Sequence, residues 1–282
     1  MMPNVLGWSP EHPLIRHRVT VSGVARSALV LGTGRSGTSL LAGLFHDAGY
    51  FIGDNLWPGT ISNPVGYFED IEINKINEDL LDKKAPWRPR GIAGAVLPVF
   101  RDRPKWGQRW LVILPEGTEV PSDPHLNRRM QAQTARRPYL FKDPRFSYTL
   151  ATWMPFLAAE TTFLCVFREP QRTMNSIMRI VRDERYLWDI KMTPERACQY
   201  WTSTYRSILH QRSKLGGDWL FVHYDELLTR RAIPVLECHL GARADMSMLQ
   251  PGLNRSTMTA AADSSAEKLF RLLLELAEQK YA

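Results

Sequence analysis

The stretch Ala28-Leu29-Val30-Leu31-Gly32-Thr33-Gly34-Arg35-Ser36-Gly37-Thr38-Ser39 decides how the chain is read. Ala28 to Thr33 is a short apolar run of the kind that forms a buried parallel strand, and glycines end it. Ser39 to Ala48 follows as a helix, with Leu40, Leu41, Leu44 and Phe45 on one face and Gly49 as its stop. Strand, glycine loop and helix in that order turn successive backbone N–H groups and a helix N-terminus toward one concavity, which suits an anion. A nucleotide-hydrolysing loop of this shape needs Gly, four residues, then Gly-Lys-Ser/Thr, with the Lys reaching the terminal phosphates and the hydroxyl holding magnesium. Gly32 and Gly37 keep that spacing, but Thr38 stands at the Lys position and the cation sits at Arg35.

Working outward, a second short strand is expected at Tyr50 to Gly53, then a loop with Pro58, Gly59, Asn63, Pro64 and Gly66, then a helix from Glu69 to about Lys83. Pro86 to Arg137 is rich in Pro, Gly, Arg and Trp without a long periodic stretch, and reads as an inserted lid. The alternation resumes with strand Tyr139 to Lys142, helix Tyr148 to Ala158, strand Thr161 to Phe167, helix Gln171 to Arg182, helix Pro194 to Leu215 and strand Trp219 to His223. The amphipathic helix Ser264 to Tyr281 closes the chain with Leu269, Leu272, Leu273 and Leu276 inward. Strands alternating with helices give an α/β class, a P-loop-like parallel sheet flanked by helices. Without internal repeats, residues 1–282 read as a single domain with an inserted lid at about 86–137.

Composition narrows the class of partner. The 282 residues are 44% hydrophobic and carry 36 Lys plus Arg against 29 Asp plus Glu, a formal charge of +7, which excludes an acidic or disordered chain and favours anionic partners. Three cysteines, Cys165, Cys198 and Cys238, at long spacing suit neither a disulfide framework nor a tetrahedral metal site. Met1 to Val21 holds no continuous apolar run of the signal-peptide kind, and no segment reaches the length of a membrane span. A cytoplasmic, reducing location is expected, with no metal and no stable membrane insertion.

A second anion element lies at the end of the strand Thr161 to Phe167. Arg168-Glu169-Pro170 ends it, and Ser176 follows eight residues after Arg168 on the next helix. A phosphate at a strand's C-terminal edge can accept from both.

Together these elements resemble the sulfotransferases that use 3′-phosphoadenosine-5′-phosphosulfate (PAPS). Their 5′-phosphosulfate loop runs basic residue, Ser or Ala, Gly, Thr, then Thr or Ser, and their 3′-phosphate motif pairs an Arg at a strand end with a Ser eight positions on. The segments Asn63-Pro64-Val65-Gly66-Tyr67-Phe68-Glu69, Asn77 with Leu80-Leu81 and Trp87, Lys142-Asp143-Pro144-Arg145 and His223-Tyr224-Asp225-Glu226-Leu227-Leu228 are similar to the bacterial branch, over about Ala28 to Gly241.

The resemblance implies sulfuryl transfer from PAPS, with adenosine 3′,5′-bisphosphate (PAP) as product, to a hydroxyl or amine of a small-molecule, lipid or carbohydrate acceptor. Gly34, Arg35, Ser36, Gly37, Thr38 and Ser39 would hold the 5′ end, the hydroxyls of Ser36, Thr38 and Ser39 acting as donors. Arg168 and Ser176 would hold the 3′-phosphate. Many relatives carry Pro at the position of Gly34, so a looser loop is expected.

Glu69 is the candidate base, with Asp70 as its nearest rival. Lys142 and Arg145 bracket Asp143, so at least one is expected to face the crevice beside Arg35, Lys142 as a second catalytic cation; the alternative is a local ion pair with Asp143 or Glu160. His46 and His223 read as packing or surface histidines. Trp57, Trp87, Trp106 and Trp188 could stack on adenine or line the acceptor site, although nine Trp also serve a core. Arg88, Arg90, Arg101, Arg103, Lys105, Arg109, Arg128, Arg129, Arg136 and Arg137 could bind an anionic acceptor or form a solvated surface. Two other functions stay open. A P-loop small-molecule kinase is disfavoured by Thr38, and a basic nucleic-acid-binding module by the lack of a recognisable binding motif.

Overall fold

In the computed structural model, residues 24–60, 63, 66–85, 88–89, 101–102, 104–249 and 263–281 are described. Strands β1 (Ala28–Leu31), β4 (Leu140–Lys142), β5 (Thr162–Phe167) and β6 (Asp218–His223) form a parallel sheet in the order β4-β1-β5-β6. Two-residue strands β2 (Arg88–Pro89) and β3 (Arg101–Asp102) pair antiparallel away from it.

Each strand of the parallel sheet places apolar residues on both faces, and the two faces differ in bulk. Leu29, Leu31, Phe141, Phe163, Cys165, Phe167 and Phe221 point into one core, whereas Ala28, Val30, Leu140, Leu164, Val166, Leu220 and Val222 point into the other. The first face is covered by α2 (Ile71–Asp82), α4 (Phe146–Trp153), α6 (Pro194–Leu215) and α9 (Ser264–Tyr281). Helices α1 (Thr38–Leu44) and α8 (Ile233–Leu240) cover the second. Helix α5 (Pro170–Asp183) leaves the end of β5, and the short α7 (Tyr224–Leu228) leaves the end of β6.

Three expectations change. The strand at Tyr50 to Gly53 is a single parallel bridge between Phe51 and Tyr139, because Gly53 turns away at φ +121°, where a Cβ would strike Asp70. Within the segment expected as a lid, Leu111 is buried, Val112 and Leu114 join the larger core, and helix α3 (Pro124–Thr134) buries Leu126 and Met130 there, while residues 115–117 are exposed. Residues 86–87, 90–100 and 103 lie outside the described set. In α9 the inward stripe is Ala266, Leu269, Leu273 and Ala277, while Leu272 is exposed, one position out of phase. All three cysteines are free, with Cys165 and Cys198 buried.

Helix α2 is fixed to the sheet by charge. Asp143, just past β4, accepts from Asn74 and Asn77 of α2 at 2.9 Å each and from the backbone N–H and guanidinium of Arg145 at 2.9 and 3.0 Å. Arg145 Nε also donates to Glu78 Oε1 at 2.7 Å, and Arg109 donates to Glu78 Oε2 at 3.0 Å. Burial opposes the Arg145 charge, but Asp143 and Glu78 outweigh it and push its pKa up. Removing one partner of such a network strands the other charge in the interior. Asp143→Ala is therefore expected to cost about 3–5 kcal/mol in urea denaturation, and a loss below about 1 kcal/mol would show that the network does not hold α2.

Candidate functional site

The loop from β1 to α1 is shaped by close approaches. At Gly32, φ +136°, a Cβ would lie 2.3 Å from the Val166 carbonyl oxygen, and at Gly37, φ +101°, 2.3 Å from the Tyr224 ring. Arg35 itself is left-handed at φ +73°, an uncommon conformation for a side chain of its size. Gly34 does not loosen the loop. Its N–H donates to the Tyr200 hydroxyl at 3.1 Å, and a Cβ there would stand 2.5 Å from the Trp110 ring. Proline could neither donate nor fit. The Ser36 hydroxyl also departs from expectation, since it turns inward to the carbonyl oxygens of Thr33 and Val166 at 2.6 and 3.2 Å. In that position it closes the loop. Thr38 is buried at the start of α1, and Ser39 accepts from Asn63 Nδ2 at 3.4 Å.

At the end of β5, Arg168 is buried with its guanidinium 4.4 Å over the Tyr224 ring, while its carbonyl accepts from Trp201. Ser176, one and a half turns into α5, accepts from Arg35 Nε at 3.1 Å. The two sequence motifs thus meet in space through Arg35 and Ser176. Burial lowers the pKa of both arginines; Arg179 and Arg168 lower that of Arg35 further, and Arg172 does so for Arg168. Arg179, which the sequence reading passed over, is one helical turn beyond Ser176. That spacing was the available signal.

Glu69 lies just before α2 rather than on it. Its carboxylate forms a short ion pair with Lys142 Nζ, both side chains nearly buried. Lys142 is therefore held by Glu69, whereas Arg145 belongs to the Asp143 network. Asp70 is the N-cap of α2: Oδ1 accepts from the N–H groups of Glu72 and Ile73, and Oδ2 from Asn55 N–H at 3.0 Å. Phe68, at φ +53°, turns the chain into Glu69, with its ring against His46 at 5.2 Å.

One group of metal-ligand type occurs among the described residues: Glu169, His223 and Asp225, with ligand atoms within 4.8 Å of one another. Arg172 lies 3.7 Å from Glu169 and 3.4 Å from Asp225, so the protein supplies a cation there itself. His223 sits between Phe167 and Phe270, with Nε2 3.6 Å from Glu169.

No family model and no curated protein sequence matches the chain. Among solved structures it is similar to the sulfotransferase domain of the Synechococcus PCC 7002 olefin synthase, at 17% identity and a TM-score of 0.50, covering 88% of this chain and 94% of that one. Two further likenesses are to the sulfotransferase domain of the curacin biosynthetic pathway (14% identity, 90% of this chain and 99% of that one, TM-score 0.49) and to the sulfotransferase STF1 from Mycobacterium tuberculosis H37Rv (11%, 92% and 77%, 0.43). The parallel sheet flanked by helices is thus the sulfotransferase fold. Among the described residues no helix is long and apolar enough to cross a membrane.

The His223 environment sets a pH dependence. Burial lowers its pKa and Arg172 adds to that, outweighing Glu169, Asp225 and Glu226, which raise it. The unfolded chain then takes up the proton first, so stability falls as pH drops below the ordinary histidine value of about 6.5. The melting temperature of His223→Gln is expected to fall less between pH 7 and 5.5 than that of the parent; equal falls would remove His223 as the cause.

Proposed function

We propose that the protein is a PAPS-dependent sulfotransferase acting on a hydroxyl group of a small-molecule, lipid or carbohydrate acceptor. The observation that carries this reading is the pair of arginines, half-buried Arg35 and buried Arg168, beyond the C-terminal ends of adjacent strands, with Ser176 accepting from Arg35. A mononucleotide with phosphate at one end alone needs one such site; a nucleotide charged at both 5′ and 3′ positions needs two. The cradle fits the donor: glycines keep the loop backbone free of Cβ atoms, and the nearby Arg179 adds positive potential.

When bound, PAPS supplies an electrophilic sulfuryl group, with PAP as the leaving group. Arg35 neutralises charge on the departing phosphate oxygen, where a guanidinium acts most strongly away from water. Glu69 takes the acceptor proton as the acceptor oxygen forms its bond to sulfur and the bond from sulfur to the phosphate oxygen breaks. Lys142 holds the Glu69 carboxylate by their ion pair, so its role is to position the base. The three backbone donors that engage Asp70 at the start of α2 support Glu69 over Asp70 as the base.

Calorimetric titration with PAP, ADP and ATP tests the donor class, and PAP is expected to bind most tightly. Arg168→Ala should weaken PAP by roughly 2–3 kcal/mol more than adenosine 5′-monophosphate. Equal weakening would falsify the 3′-phosphate assignment, and preferential binding of ATP would favour a kinase.

Glu69→Gln is expected to lower sulfuryl transfer by roughly 10²–10⁴-fold while PAP affinity stays level. Because that change strands Lys142, the double variant Glu69→Gln/Lys142→Met serves as control. Recovered stability without recovered turnover identifies proton transfer as the lost function, whereas recovered turnover would show that only the ion pair mattered.

A further inference from the structure

Strands β5 and β6 run parallel with Phe167 and His223 in register, so the chain leaves both strand ends at the same level. Three side chains of metal-ligand type gather there: Glu169, two residues past Phe167, His223 itself, and Asp225, two residues further on, one ligand atom of each lying within 4.8 Å of the others. None of them takes part in the transfer derived above.

His223 is the informative member. It is only 8% exposed, its ring is flanked by Phe167 and Phe270 at centroid distances of 5.2 and 5.6 Å, and its Nε2 faces Glu169 Oε1 across 3.6 Å, beyond hydrogen-bond reach. His223 Nε2, Glu169 Oε2 and Asp225 Oδ1 are all closed off from solvent without a hydrogen-bond partner among the described residues. A buried polar atom in that condition costs free energy, and three of them in one cluster call for a shared partner.

Arg172 answers this only in part. Its Nη1 stands 3.4 Å from Asp225 Oδ2 and 3.7 Å from Glu169 Oε2, so one guanidinium faces two carboxylates at long range, and its own Nε is buried without a partner.

We propose that Glu169, His223 and Asp225 bind a divalent first-row metal ion, zinc by preference, with a water completing its shell. One imidazole and two carboxylates suit such an ion, whereas magnesium and calcium take oxygen ligands. Neighbouring ligand atoms of a tetrahedral zinc stand about 3.4 Å apart. The 3.6 Å between His223 and Glu169 is already close to that, and the widest separation of 4.8 Å closes with side-chain movement of about 1–1.5 Å. Arg172, whose side chain is partly exposed, turns toward water as the ion takes over both carboxylates. In the chain, the ligands bracket Arg168 and Tyr224, whose cation–π contact spans 4.4 Å, so the ion ties together the two strand ends that carry that pair. The site depends on neither the donor nor the acceptor assignment.

The test is calorimetric titration of the full chain, stripped with EDTA and dialysed, with zinc, magnesium and calcium chlorides in the absence of nucleotide. One zinc ion per chain is expected, bound at least about a hundredfold more tightly than magnesium or calcium, with a melting temperature that rises as zinc is added. His223→Gln and Asp225→Asn should each weaken zinc by at least about a hundredfold, more than loss of an outer hydrogen-bond partner does. Arg172→Gln should tighten it about tenfold by removing the competing charge. Cys238→Ser, at an exposed thiol, should leave it level.

Metal-free melting curves show which variants fold; should His223→Gln not, Asp225→Asn decides. No zinc binding by the parent, unchanged affinity in a folded ligand variant, loss of binding in Cys238→Ser, or tighter binding of magnesium or calcium overturns the site. Binding that appears only in Arg172→Gln overturns it as well, since Arg172 is then the permanent occupant.

Discussion

Asp143 accepts hydrogen bonds from Asn74 and Asn77 of α2 and from Arg145, all of them buried, immediately after strand β4 ends. A carboxylate in that position tolerates little displacement of α2, because any shift leaves a charge or an amide without a partner where water cannot reach it. The consequence reaches the site from two directions. Lys142 precedes Asp143 in the chain, and Glu69 precedes the Asp70 cap from which α2 starts. The same contacts therefore place both members of the Glu69–Lys142 pair. Positioning of this kind is what a proton-transfer step requires of its surroundings, since small misplacements of a base are costly.

Charge is distributed unequally around that anchor. Beside α2, the cations Arg145, Arg109 and Arg129 each meet carboxylates. Across the crevice, burial together with Arg179 and Arg168 lowers the basicity of Arg35. The formal charge of +7 is thus a poor guide to where an anion would bind. Position decides it: arginines follow the ends of β1 and β5, whereas near α3 Arg129 and Arg136 meet carboxylates locally.

Much of this was legible in the sequence, for definable reasons. The β1-loop-α1 unit carries its own punctuation, apolar run, glycines and apolar helix face, and the β5-to-Ser176 unit is local too, so both were read within a few residues of their bounds. Helix α3 was missed because only Leu126 and Met130 mark its buried face, among Arg128, Arg129 and Gln residues. The Asp123-Pro124 start was the readable cue. Lys142 was expected beside the phosphosulfate loop and was found on Glu69, since pairing across more than seventy residues leaves no local trace. The contact of the Ser36 hydroxyl with the Val166 carbonyl is equally remote in sequence and leaves no trace in the motif. Gly34 looked like a weakness because its partners, Trp110 and Tyr200, are remote in sequence.

Those remote partners explain how two separate anion motifs keep a fixed spacing. Helix α6 runs for 22 residues behind both. Tyr200 receives the Gly34 N–H, Tyr205 bonds to Thr33 and to the Val166 carbonyl, and Trp201 donates to the Arg168 carbonyl. Burial pushes the pKa values of Tyr200 and Tyr205 up, so both phenols stay neutral and keep their hydrogen-bonding capacity. Three side chains within two turns of one rigid helix thereby hold the loop after β1 and the end of β5. Neither strand end can drift without breaking a buried hydrogen bond, which leaves an unsatisfied group at a cost of about 1–3 kcal/mol. The distance between Arg35 and Arg168 is thus set by the helix behind them, and their spacing is built into the fold before any ligand arrives.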